Sequence, residues 1–480
     1  MHIIFKRSIL LLNVLFLGCF KEEEVTNSQQ ISYESEIYGC TSPLSDNYNS
    51  EATVNDGSCA PTDCSKCDFF VSITNKKFGF DGEEFGVKPG DIICLDGSLT
   101  YKRPVLFKNI IGTPENPVLI TNCNGTAVID LPNLTYNIGT KNCKYFRISG
   151  SGDPTVKYGI KLSGVRSKGL DLNYLSSNFE VDHLEIFDIG FTGIMAKTDP
   201  NCDDETIRGN FTMRDVSIHD NYIHDVGGEG LYIGNSFYAN GAKKECGQRL
   251  PHDIVNIKIY KNDVRNTGWD GIQLGSAVQG AKIYSNTIEN FGVENRANQR
   301  SGIQIGEGTG GLCFNNIIKN GSGNGMTVLG YGDNIIFNNL IVNPKLIGVF
   351  VDERYSPGEG FKLFNNTIVN SGLEGIKVYA WNLKNEVKNN LVINPANIDA
   401  EGSNAYIDYG SNTETEANFF AMKIEELNLF NINKDDYSLT RDSPVIDEGV
   451  DLSSYGIDMD ILGRKRPSGA DFDIGAYEFQ

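Results

Sequence analysis

The chain has 480 residues, 40% of them hydrophobic and 22% charged, which excludes a disordered polymer and allows a large core. With 52 Gly, 15 Pro, 2 Trp and abundant Asn, long helices, bundles and coiled coils are excluded and a turn-rich β architecture is expected. The formal charge is −20, from 42 Lys+Arg against 62 Asp+Glu, and no basic run follows the first seven residues, so a nucleic-acid partner is excluded.

Residues 1–18 read as an export signal: Lys6 and Arg7 precede an apolar run from Ile9 to Leu17 that is too short to span a bilayer. The stretch ending Leu15-Phe16-Leu17-Gly18-Cys19 resembles a bacterial lipobox, although the Leu usual three places before the Cys is here Phe16. That resemblance implies cleavage before Cys19 and acylation of its thiol. Residues 19–39 form an acidic tether, in which Lys21-Glu22-Glu23-Glu24 resembles the charged signal that sends Bacteroidetes-type lipoproteins to the outer face of the outer membrane. The expected location is therefore the outer membrane, lipid-anchored and facing the exterior.

Ten further Cys in an exported chain make disulfides permissible. Cys40 and Cys59 bracket the best candidate loop, and Cys64/Cys67, Cys94/Cys123 and Cys202/Cys246 are plausible further pairs. The module at 40–68 resembles the small calcium-binding repeats of thrombospondin type, which makes Ca²⁺ a candidate cofactor. Asp46, Asn49, Asn55 and Asp56 supply hard oxygen ligands at close spacing, and they serve equally well as turn formers without an ion.

From about residue 180 the chain repeats. The phrase Asn-x-Ile-x-Asn begins at Asn262, Asn286, Asn316, Asn339, Asn366 and Asn390, with a variant at Asn221, in steps of 41, 24, 30, 23, 27 and 24 residues. Nine residues after most of these Asn, a Gly opens a short strand, as in Gly230-Leu-Tyr-Ile and Gly271-Ile-Gln-Leu; at Gly302 the gap is sixteen. A period near 24 with alternation inside each strand describes the coils of a parallel solenoid. Stacked coils turn the first Asn of each phrase into an internal ladder, and put Leu231, Ile272, Ile303, Met326, Val349 and Ile376 into an aliphatic core.

These repeats resemble the right-handed parallel β-helix, or pectin-lyase-like, superfamily, with the β-helix at 69–410. Val87-Lys-Pro-Gly-Asp-Ile-Ile-Cys-Leu95 with Ile111-Gly-Thr-Pro-Glu-Asn-Pro-Val-Leu-Ile120 is similar to the first coils of alginate-lyase and chondroitinase-B type enzymes. Ser443-Pro-Val-Ile-Asp447 and Asp473-Ile-Gly-Ala-Tyr-Glu-Phe479 resemble a C-terminal cap, placed at 411–480. The fold class expected is thus an all-β, right-handed parallel β-helix. Neither a polygalacturonase-like Gly-His-Gly nor a pectate-lyase-like Arg-x-Pro-x-x-Arg occurs, so no particular activity is implied.

Within the Gly-opened strands, Tyr232, Gln273, Gln304 and Lys377 fall on the outward column, the amide and aromatic chemistry that binds sugars. Long loops at 235–253, 292–299 and 352–360 flank it and would wall a groove. Just before the Gly, Glu229 and Asp270 fall one coil apart, a carboxylate pair suited to acid-base work or a shared cation, with Glu307 near the same patch. Elimination would instead need a base and a cation beside a uronate carboxylate, for which Arg300, Lys377, Arg354, Tyr232 and His252 are available. The reading is a surface lipoprotein that binds an extracellular polysaccharide and cleaves it, as lyase or hydrolase; the alternative is a non-catalytic glycan-binding or adhesion protein.

Overall fold

The computed structural model describes residues 36–72, 79–355, 357–396, 406–410 and 412–480. Its body is a three-sided solenoid in which each coil lays one strand into each of three parallel sheets, of 14, 11 and 12 strands. One coil, for example, supplies Asp253–Tyr260 to the first sheet, Asp263–Thr267 to the second and Ile272–Leu274 to the third. Register is strict: Leu231, Ile272, Ile303, Met326, Val349, Ile376 and Ile407 pair in succession up the third sheet. All seven are buried, and with their counterparts from the other sheets they form one continuous aliphatic core.

The Asn phrase explains how the chain turns from the first sheet into the second. Asn221, Asn262, Asn286, Asn316, Asn339, Asn366 and Asn390 are buried, and each Nδ2 donates to the Oδ1 of the Asn one coil on at 2.9–3.0 Å. The same amides donate to first-sheet carbonyls, so the ladder satisfies turn backbone that has no water to turn to. The last Asn of each phrase makes a second ladder on the surface. Asn320, Asn343, Asn370 and Asn394 lie in the left-handed region, which Asn tolerates better than most residues, and link at 2.9–3.0 Å. The Gly that opens each third-sheet strand is a close approach: a methyl on Gly271 would sit 2.5 Å from Ile288 Cγ2 and 2.6 Å from the Gly302 carbonyl oxygen.

Two additions flank the coils. Cys40–Cys59 closes the N-terminal module, whose Leu44 packs on Cys94 and Cys123 and whose Ser42 hydroxyl donates to Gly152 O at 2.9 Å. Cys202–Cys246 pairs as expected and ties two loops that follow third-sheet strands. The other two pairings differ from expectation: Cys64 bonds Cys123 and Cys67 bonds Cys94. Cys64 to Lys66 is a single turn of 3₁₀-helix, so the two thiols splay toward adjacent strands instead of toward each other. Cys143 and Cys313 are buried free thiols.

At the C-terminal end, coil strands continue to Phe419–Ala421. Residues 424–480 then do more than stop the last coil. They fold back along the solenoid, with Leu427, Tyr437, Val445 and Ile474 packing on the second sheet and Leu452, Ile457 and Phe472 on the first. Among the described residues, no helix is long and apolar enough to cross a membrane.

Candidate functional site

The outward column of the third sheet runs Tyr232, Gln273, Gln304, Thr327, Phe350, Lys377 in continuous register. A solvated amide face was expected; instead Gln273 and Gln304 are 1% and 9% exposed, because the inserted loops close over them. What they floor is a pocket of about 290 Å³, with Ser236 on one side, Arg300 and Glu307 beside it, and Phe350 and Arg354 toward the later coils. A hydrogen-bond string fixes the floor: Gln304 Nε2 donates to Gln273 Oε1 at 3.2 Å, Gln273 Nε2 to Ser236 Oγ at 2.8 Å, and Ser236 Oγ meets the Tyr232 hydroxyl at 2.9 Å. Arg300 donates to Asn295 within its own loop, Arg354 to Asp352 at 2.9 Å, and Glu307 accepts from the Ala239 N–H at 3.2 Å.

Glu229 and Asp270 are adjacent across two coils, since the Gly230 N–H donates to Asp270 O, but both are fully buried and neither lines the pocket. The carboxylate pair expected to do acid-base work or share a cation is thus closed off from solvent and from the pocket. Asp270 Oδ1 accepts from the Ser301 N–H at 2.6 Å; Asp270 Oδ2 and both Glu229 oxygens have no hydrogen-bond partner among the described residues. Burial pushes Glu229 up to about 7, and burial together with the charge of Glu229 pushes Asp270 up to about 8. At neutral pH Asp270 is therefore chiefly a neutral acid. It stands one residue behind the pocket wall, where Ser301 separates it from the space in front.

Five of the residues singled out from sequence thus meet in one pocket, Arg300, Arg354, Gln273, Gln304 and Glu307, while Tyr232, Lys377 and His252, like Glu229 and Asp270, lie outside its lining. Tyr232 sits under Lys197, whose Nζ is 4.3 Å from the ring centre and pairs with Asp199 at 2.9 Å. Lys377 is held between Glu374 at 2.9 Å and Asp408 at 2.7 Å; burial would lower it, but these pairs win and push it up to about 12. His252 accepts from the Thr198 N–H and donates to Asp253 O, and burial pushes it down to about 4, so it is a neutral structural strut. In the N-terminal module, Asp46 pairs with Lys66 at 2.9 Å, while Asn49, Asn55 and Asp56 each accept from a backbone N–H two residues on. Cys19 lies outside the described residues.

Sequence reasoning missed a second, larger cavity of about 760 Å³ over the first sheet, walled by the N-terminal module and by residues 459–463 of the returning segment. Its polar end holds Arg147, Glu180, His183 and His219 above buried Asp182. The group is internally satisfied. Arg147 Nε lies 2.7 Å from Asp182 and 2.9 Å from Glu180, and His183 meets Asp182 at 2.6 Å. His219 lies between Asp220 at 2.7 Å and Glu180 at 3.4 Å, which overcome its burial and push it up to about 9. Arg147 holds Asp182 well below the usual carboxylate range despite burial. The available signal was the run Asp182-His183, His219-Asp220, His224-Asp225, which brings three of the five His beside an acid within 44 residues.

Residues 252–420 match a family model described as a right-handed β-helix region. Among solved structures, the chain is similar to pectate lyase Pel9A at 16% identity, over 82% of this chain and 90% of that one, with a TM-score of 0.49. It is also similar to an alginate lyase from Paenibacillus sp. str. FPU-7 (17% identity, 58% and 88% covered, TM-score 0.38) and to a GH136 lacto-N-biosidase from Eubacterium ramulus (12%, 70% and 62%, 0.41). No curated protein matches the sequence. The sheet order makes the fold a parallel β-helix, and residues 252–420 match the right-handed β-helix model within it.

Proposed function

We propose that the protein is a surface-anchored β-helix that binds an acidic polysaccharide in the third-sheet pocket and cleaves it by β-elimination. One observation carries this reading: in a chain of charge −20, Arg300 and Arg354 line a pocket floored by a fixed glutamine pair, with Glu307 as its one carboxylate among the described residues. Cations beside bonded amides suit a uronate, whose carboxylate pairs with arginine and whose hydroxyls take the amides. Glycoside hydrolysis ordinarily uses two carboxyl groups at the scissile bond, whereas the pocket offers Glu307 alone and the pair Glu229 and Asp270 is sealed away. Elimination requires one base and one cation. Arginine neutralises the uronate carboxylate, Glu307 takes the C5 proton, the C4–O bond breaks as the C4=C5 bond forms, and the departing O4 oxygen receives the proton back from Glu307.

The exported form lacking residues 1–25 should raise absorbance near 235 nm on polygalacturonate or alginate, and Glu307→Gln should abolish the signal while leaving the protein retained on polyanion affinity gels. Arg300→Ala with Arg354→Ala should weaken that retention about tenfold or more. Equal retention of the double variant, or wild-type retention by neutral glycans alone, would remove the acidic-substrate reading. A binding role without cleavage is favoured by the burial of Glu229 and Asp270, and retention without product by the wild type would establish it.

The anchor has its own test. Cys19→Ser should move the protein from the membrane fraction to the soluble one; continued membrane association would refute lipidation at that thiol.

A further inference from the structure

The chain has only two tryptophans. Trp269 is half-buried, with the Arg296 guanidinium 3.8 Å over its ring and Phe191 against its edge at 5.2 Å. Trp381 is 57% exposed. It lies on the turn that follows the third-sheet strand Ile376–Val378, stacked on Tyr379 at 5.7 Å and 12°, and Tyr379 is itself 47% exposed. The pair is rigidly set. Trp381 lies against Gly410, where an added methyl would come within 2.5 Å of indole Cδ1, and the neighbouring Asn382 N–H donates to Glu353 at 2.9 Å. Two large rings held to solvent contribute less to the core than the same rings would inside it.

Their position gives them a use. Phe350 lines the third-sheet pocket and is 6.0 Å from Tyr379, so Phe350, Tyr379 and Trp381 form an unbroken aromatic path from the pocket to the protein's surface at the later coils. Lys377 lies 5.5 Å from the Tyr379 ring, beside the path. Flat rings present the apolar face that a pyranose covers with its axial C–H groups, whereas the pocket itself presents amides and cations.

We infer that Tyr379 and Trp381 form a stacking subsite that extends the pocket toward the C-terminal coils, so that the ligand is a long pyranoside chain occupying pocket and shelf together. The inference rests on the reading of the pocket as a glycan site and adds chain length to it. A short oligosaccharide fills the pocket alone, while a longer one gains the shelf.

Trp269→Phe leaves Trp381 as the sole indole, and its emission should change on titration with an octamer, but not a trimer, of galacturonate or mannuronate. In the otherwise wild-type chain, Trp381→Ala should weaken octamer binding about tenfold and leave trimer binding unchanged. If the octamer binds but Trp381 emission is unmoved and Trp381→Ala binds it equally, the shelf is overturned and the pocket reading stands. Equal losses for trimer and octamer would also overturn it, by placing Trp381 inside the pocket's own subsite. Failure of both oligosaccharides to bind the wild type would overturn the shelf and the pocket together.

Discussion

The melting temperature is expected to fall by several degrees as pH rises from 5 to 9, and Asp270→Asn to remove most of the part due to the buried acid pair. Both carboxyls titrate higher in the folded chain, about 7 for Glu229 and about 8 for Asp270, than in an unfolded one, where values near 4 apply. Between those limits the native state holds more protons than the unfolded state, so stability falls with rising pH. The contribution is fully present below about pH 4 and is gone above about pH 8, a loss on the order of 10 kcal/mol. Asparagine is neutral throughout, and its oxygen still accepts from the Ser301 N–H. The variant should melt above the wild type at pH 9 and within a degree or two of it at pH 5. His219, charged up to about pH 9, adds a loss of the same sign, so the difference between the two proteins is the quantity to measure. A variant that melts lower than the wild type at pH 9 would show that the buried pair does not lose stability on ionisation.

Asn339→Ala should be the most damaging single change on the coil turns, costing about 5 kcal/mol in denaturant unfolding, whereas Asn343→Ala, four residues away, should cost about 1–2. Asn339 Nδ2 donates to Cys313 O, Phe337 O and Asn366 Oδ1, and its Oδ1 accepts from both the side-chain and backbone nitrogens of Asn316. All of these are buried, so truncation strands polar groups on three coils with no water to replace the partner. Asn343 makes two amide contacts in solvent, and its left-handed backbone is the main penalty for Ala. Asn343→Gly should therefore recover most of that smaller loss, while Asn339→Gly should recover none. Similar costs at the two sites would contradict the division into a load-carrying inner ladder and an exposed outer one.

The solenoid was legible because its signals are local and repeated. Asn262 and Asn286 are 24 residues apart in sequence and 3.0 Å apart in space, and the same amide link recurs between successive coils. The column geometry of Gln273 and Gln304 followed from the same register. Burial did not follow. Whether Glu229 and Asp270 meet water depends on how the segments carrying Trp269 and Arg296 close over the sheet, and no period governs those. Cysteine pairing was illegible for a related reason: Cys64 and Cys67 are sequence neighbours, but their partners are chosen by which strand of the first two coils each thiol overhangs. The return of residues 424–480 along the flank has no repeat to announce it, and the aromatic run Tyr260, Tyr284, Phe314, Phe337, stacked at 4.8–5.0 Å, reads in sequence as four unrelated residues.

That returning segment changes what kind of object the solenoid is. A stack of coils touching only their neighbours behaves as a linear array that can fray one rung at a time. Here the same 57 residues grip four successive rungs at once: Asp435 holds Lys319, Met459 accepts from Asn338, Asp473 from Asn365 and Val450 from Asn389. To release any one of those rungs the clasp must let go of the others, so the array from Lys319 to Ala421 melts as a block. At the opposite end, Cys64–Cys123 and Cys67–Cys94 rivet the first rungs covalently. Between rivet and clasp lies the stretch that carries Glu229, Asp270 and the early wall of the pocket, where the Cys202–Cys246 bridge is the covalent tie among the described residues.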